Sequence, residues 1–76
     1  MDDVMVTFHA DGQIHTELKL PVYVKISDLL AMLAESLPIS IAADSQLQAE
    51  PLGRILDPNL TLKEEGVRRG AMLTLI

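Results

Sequence analysis

Apolar and polar residues alternate along the first part of the chain. Val4, Val6 and Phe8 share one face, with Met5, Thr7 and His9 on the other. After Asp11-Gly12, the residues Ile14, Thr16, Leu18 and Leu20 repeat the pattern. A period of two is that of a half-buried strand, so the stretch reads as a hairpin. Asp-Gly commonly closes a two-residue loop. Here that would set residue 8 opposite residue 15 and carry Phe8 onto the face of His15. A three-residue loop, Ala10-Asp11-Gly12, pairs 8 with 14, 6 with 16 and 4 with 18. It keeps the apolar side chains on one face and uses Gly12 as a left-handed bulge residue. The three-residue form is expected. Pro21 has no amide to donate and ends useful pairing. Val22, Val24 and Ile26 keep the parity and lead over the core.

The period then changes. Leu29, Leu30, Leu33 and Leu37 form an apolar stripe at helical spacing, with Asp28, Ala31 and Glu35 facing water. The helix is expected from about Ile26 or Ser27 to Leu37. Ser27 is the expected cap, Asp28 suits the first turn, and Pro38 is the stop. Residues 38–45 form a connection in which Ile39 or Ile41 tucks under the helix end. Gln46 to Glu50 reads as a weak strand, Gly53 as a turn, Arg54-Ile55-Leu56 as a strand stub, and Asp57-Pro58-Asn59 as a turn.

Leu60 to Ile76 reads as one helical turn, a glycine-broken corner and a closing strand. Thr61 and Glu64 have capping-box spacing. Gly66 ends the turn where a positive φ costs least. Val67 is the apolar residue after the break, and Gly70 opens the run Ala71 to Ile76, in which Leu73 and Leu75 share a face. A hairpin, one covering helix and a C-terminal strand assemble when the last strand lies parallel to the first, between it and the third. The crossover through the helix is then right-handed. The fold class is α+β: a mixed sheet covered by one main helix, plus a short C-terminal helical turn, in a single domain over residues 1–76.

Composition narrows the function. The 76 residues are 49% apolar, enough for a core without staples, and there is no cysteine for disulfides or thiolate metal sites. That suits a reducing cytoplasm. No apolar run approaches the ~20 residues that span a bilayer, and Met1-Asp2-Asp3 lacks the plan of a signal peptide. The net charge of −5 argues against nucleic-acid binding. It is unevenly spread: residues 1–43 hold six acids and two bases, residues 44–76 five acids and four bases. Three of those four bases, Lys63, Arg68 and Arg69, lie close together. They are a solvated corner or a contact patch for an acidic partner.

No catalytic constellation is present. None of the four serines sits in a nucleophile-elbow context. His9 and His15 are expected on the outer face as diagonal neighbours, about 7–8 Å apart between Cα atoms. Two imidazoles alone do not complete a metal site, although Asp11 and Glu17 are near in sequence. The glycines are scattered over separate corners and form no phosphate-cradling loop. No cofactor is expected. Met5 falls on the outer face, Met32 and Met72 flank the core, and Tyr23 has exposed parity.

The pattern Thr61-Leu62-x-Glu64-x-Gly66-Val67-x-x-Gly70-x-x-Leu73-x-Leu75 resembles the end of ubiquitin-like β-grasp domains, and Glu50-Pro51-Leu52 followed by Ile55-Leu56 resembles the middle of EsaB/YukD chains. It is most similar to the small bacterial EsaB/YukD proteins of type VII (WXG100) secretion and to the ubiquitin-like segment that opens the membrane protein EccD. The resemblance implies a non-conjugated, cytoplasmic accessory or regulatory protein. Such a protein binds components of the secretion machine non-covalently, for instance its membrane-bound ATPase, and is not an enzyme. Ubiquitin itself and carriers resembling ThiS and MoaD react through a tail ending in Gly-Gly. Here Leu73-Thr74-Leu75-Ile76 lies inside the expected strand, which implies no such chemistry if Ile76 is the true end. An excised EccD-like domain and a ThiS/MoaD-like carrier that has lost its tail are the alternatives. The central position of ubiquitin's apolar binding patch falls near Glu50 and its C-terminal member near Ile76. A carboxylate at that centre opposes the apolar partners of ubiquitin.

Overall fold

Both amphipathic hairpin strands need a cover for their even-numbered side chains, and the one long helix supplies it. The computed structural model describes residues 2–10, 12, 14–37, 41–42 and 44–76. Its elements are β1 (Asp3–Ala10), β2 (Ile14–Pro21), α1 (Ile26–Ser36), β3 (Leu47–Glu50), β4 (Arg54–Ile55), α2 (Leu62–Glu65) and β5 (Met72–Leu75). One sheet has the order β2-β1-β5-β3-β4. β5 runs parallel to β1 and antiparallel to β3, between the two. This is the ubiquitin-like β-grasp that the pattern predicts.

The hairpin differs from expectation in register. Ala10 pairs with Ile14, Phe8 with Thr16, Val6 with Leu18 and Val4 with Leu20. Three residues do separate the paired ends, but they are 11–13 rather than 10–12. The shift of two leaves every side chain on its expected face. Ala10 explains it: the residue is apolar, has core-facing parity and is buried. It therefore prolongs β1 and does not open the loop. Gly12 has φ +67°, as the left-handed role requires. Asp11 and Gln13 lie outside the described residues.

The stripe of α1 is buried at Ile26, Leu29, Leu30 and Leu33, with Leu37 packed at its margin. Asp28, Ala31 and Glu35 are exposed. Ser27 does not cap the helix. The cap position is Lys25, and no side chain bonds there. Carbonyls from a distant loop take the first amides instead: Ile26 N–H donates to Leu60 O at 2.9 Å and Ser27 N–H to Pro58 O at 3.0 Å. Main-chain acceptors satisfy these orphan donors as a side-chain cap would. Pro38 and Ile39 fall outside the described residues; Ile41 packs against the core. Met32 and Met72 are exposed at 44% and 39% rather than flanking the core. Met72 sits on the open sheet face opposite Thr7 and Glu50, and Met32 lies on the flank of α1.

α2 has the capping box in both directions. Glu64 N–H donates to Thr61 Oγ1 at 3.1 Å, and Thr61 N–H donates to Glu64 Oε1 at 2.9 Å. Gly66 closes the turn at φ +82°. Thr61→Ala is expected to lower the unfolding free energy by about 1 kcal/mol, read from urea denaturation, with Thr61→Ser losing little. An unchanged midpoint for the alanine variant would show that the cap contributes nothing here.

Candidate functional site: a basic corner beside the closing strand

Lys63 is carried by α2. Arg68 and Arg69 are carried by the turn between Gly66 and β5. Main-chain bonds fix that turn: Ala71 N–H donates to Arg68 O at 3.0 Å, and Gly70 N–H donates to Met5 O at 2.9 Å. Lys63 N–H donates to Val22 O at 3.1 Å, which ties α2 to the segment after β2. All three cations are exposed, and they line one hollow with Asp3, Val4, Val22, Gly66 and Val67. The structure thus brings together the three bases singled out from the sequence.

Three cations there face one carboxylate, Asp3. Among the described residues the only ion pair joins Arg54 to Glu65, so Lys63, Arg68 and Arg69 have no carboxylate within salt-bridge reach. The Lys63 ammonium lies 5.6 Å from the centre of the exposed Tyr23 ring, within cation–π range. Arg69 also borders a second hollow, beside Met5, Thr7 and Glu17 on the open face of the sheet. The corner can hold an anion or a carboxylate-bearing surface. It offers no nucleophile and no paired acid and base.

The other candidates resolve into local structure. His9 and His15 are directly opposite, not diagonal, because of the shifted register, and their ring centres lie 4.0 Å apart. Among the described residues no cluster of three His, Cys, Asp or Glu side chains gathers. Glu50 is exposed on the open face, where Gln48 Nε2 donates to its Oε2 at 3.5 Å.

One residue escaped the sequence reading. Glu65 is 4% exposed. Its carboxylate accepts from Arg54 Nη1 and from the Asp57 amide, and its carbonyl accepts from Arg54 Nη2 at 2.8 Å. It pins β4 and the following turn to α2. The capping-box spacing from Thr61 singles out Glu64, but no local signal marks the next residue, Glu65, as buried.

The sheet order, the single covering helix and the capped turn before β5 define a ubiquitin-like domain. Among solved structures the whole chain superposes on one described under molecular mimicry of SUMO in DNA repair, at TM-score 0.84, 18% identity and 92% of that chain. It superposes equally fully on a ubiquitin-like domain of an Arabidopsis thaliana protein at TM-score 0.79, 17% identity and 78% of that chain. The ubiquitin-like domain of the Mycobacterium tuberculosis type VII secretion protein ECCD1 matches at TM-score 0.69, 25% identity, 100% of this chain and 99% of that one. No curated relative matches in sequence. Residues 3–75 match the family described as WXG100 protein secretion system (Wss), protein YukD, and the chain belongs to that family. No helix among the described residues is long and apolar enough to cross a membrane.

Proposed function

We propose that this protein is a non-conjugated, cytoplasmic ubiquitin-like accessory of type VII secretion. It acts by non-covalent binding to protein components of that machine rather than by catalysis. The observation that carries this reading is the YukD match over residues 3–75. Beyond β5, Ile76 N–H donates to Gln46 O at 2.9 Å and Gln46 N–H donates to Ile76 O at 3.0 Å. These two bonds extend the pairing of the closing strand as far as residue 76. Lys63, Arg68 and Arg69 are the proposed contact for an acidic surface on the partner.

The tagged protein, expressed in a cell with a type VII system, is expected to capture secretion components. The double variant Arg68→Glu/Arg69→Glu is expected to weaken that capture at least tenfold. Its stability should move by no more than ~0.5 kcal/mol per site, as for other exposed charges. Recovery of an adenylating enzyme alone would overturn the binding reading; undiminished capture by a folded double variant would reject the corner. The ECCD1 match favours a second reading, a soluble domain of an EccD-like membrane component. Detection of the native protein in the membrane fraction at well above 8.3 kDa would decide for it.

A further inference from the structure

His9 holds the one buried side-chain polar atom, among the described residues, that has no hydrogen-bond partner: its Nε2. The hairpin decides what stands beside it. Thr7 N–H donates to Ala71 O and Met5 O accepts from Gly70 N–H, both at 2.9 Å, so the odd-numbered main-chain groups of β1 face β5. The even-numbered ones face β2, a set that Val22 N–H continues by donating to Asp2 O at 2.8 Å. His9 and His15 are therefore an open pair of the ladder, with no main-chain bonds between them. Such pairs bring the strands closest, to about 4.5 Å between Cα atoms, and their side chains meet. The two ring centres are 4.0 Å apart, with planes inclined by 41°. His15 is exposed and His9 partly buried. Thr7 and Thr74 share this face as neighbours of His9, along β1 and across on β5, and neither bonds to its Nε2. Neither ring takes part in an ion pair.

We propose that His9 and His15 chelate one divalent transition-metal ion, of the Zn²⁺ and Cu²⁺ class, across the β1–β2 pair. Nε2 of His9 is one ligand and a ring nitrogen of His15 is the other. A buried nitrogen without a partner is costly, and a neutral imidazole relieves that cost by giving its lone pair to a metal. Two nitrogens bound ~2.0–2.1 Å from a tetrahedral ion lie about 3.3 Å from each other. Rings centred 4.0 Å apart reach that spacing by side-chain rotation, because the strand pairing already holds both Cα atoms in place. Two imidazoles do not fill the coordination sphere; water takes the other positions, as at open zinc sites. The donor set also selects the metal. Imidazole suits Zn²⁺, Cu²⁺ and Ni²⁺, whereas Mg²⁺ and Ca²⁺ need oxygen ligands, and among the described residues no carboxylates gather with the two rings. In the unfolded chain the two residues lie six apart with no fixed geometry, so the ion binds the folded hairpin and stabilises it. The basic corner takes no part, and the inference does not rest on the role given to that corner.

The full chain, carrying no histidine tag and stripped of metal by a chelator, is titrated with Zn²⁺ and separately with Cu²⁺. One ion per chain is expected, with Cu²⁺ bound at least tenfold more tightly than Zn²⁺. In nuclear magnetic resonance spectra, Zn²⁺ should shift the ring signals of His9 and His15 together. At a hundredfold excess over its Kd, Zn²⁺ should raise Tm by about 5 °C or more, and Mg²⁺ at the same concentration should not. His9→Gln and His15→Gln should each weaken Zn²⁺ binding at least tenfold and abolish the rise in Tm. His15 is exposed, so its variant keeps the test sound if His9→Gln folds poorly. Shifts at one ring alone, several ions per chain with no rise in Tm, or full affinity in His15→Gln would mean an adventitious ion only and overturn the proposal. An equal response to Mg²⁺ would also overturn it, by showing general attraction to a negatively charged chain.

Discussion

Phe8→Ala is expected to lower the unfolding free energy by about 3–5 kcal/mol. Phe8 is the only phenylalanine of the chain and has no exposed surface. It sits at the middle of β1, opposite Thr16 on β2 and Leu73 on β5, beneath the apolar stripe of α1. Truncation removes the transfer energy of the ring and leaves a cavity where two strands and a helix meet, so the site cannot collapse without moving an element. A domain of this size has about 4–11 kcal/mol in total, so the variant should be marginally folded. Urea denaturation followed by circular dichroism measures the loss. Glu17→Ala, on the exposed face of β2, serves as control and should change stability by no more than ~0.5 kcal/mol. A Phe8→Ala midpoint equal to that of the control would mean that the core does not rest on this side chain.

The second large effect is expected at Glu65. Glu65→Ala removes the acceptor of two donors, the Asp57 amide and the Arg54 guanidinium. The side chain of Arg54 is half exposed, so water rehydrates it and the loss of the ion pair is discounted. The Asp57 amide is less easily rescued, and an unpaired donor in a partly buried setting costs about 1–3 kcal/mol. Together the loss should reach about 2–3 kcal/mol. Glu65→Gln keeps an oxygen for the Asp57 amide while removing the charge. It should retain more than half of that stability if the amide contact dominates. Amide exchange at Asp57 gives the local readout: it should speed up in the alanine variant and stay near wild type in the glutamine variant. Equal losses in both variants would show that the charge on Arg54, not the amide, is what Glu65 serves.

These two residues mark where sequence reading works and where it stops. Phe8 is legible because strand parity is a local property: its neighbours at 6 and 10 are apolar and those at 7 and 9 are not. The same logic places Leu29, Leu30 and Leu33 under the helix and Leu73 inside the closing strand. The Thr61–Glu64 cap is legible because both partners lie within one turn. Glu65 is illegible because its partners, Arg54 and Asp57, come from a segment that only the folded sheet delivers. Ser27 misleads for the same reason: a local rule names it as cap, while the carbonyls of Pro58 and Leu60 arrive from across the chain and do the work. The basic corner stands between the two cases. Lys63, Arg68 and Arg69 are close in sequence, but only the turn fixed by Met5 and Val22 sets them around one hollow.

The chain by itself determined the faces of the hairpin residues and of Leu73 and Leu75, the extent of the helix to within a residue, the capped turn and the parallel closing strand. The first three follow from periodicities of two or 3.6 and from short-range hydrogen bonding, and the last from element order and the right-handed crossover. The tertiary structure alone decided the hairpin register, the cap of α1 and the burial of Glu65. Each depends on which main-chain groups from distant segments meet, and a linear pattern holds no record of that.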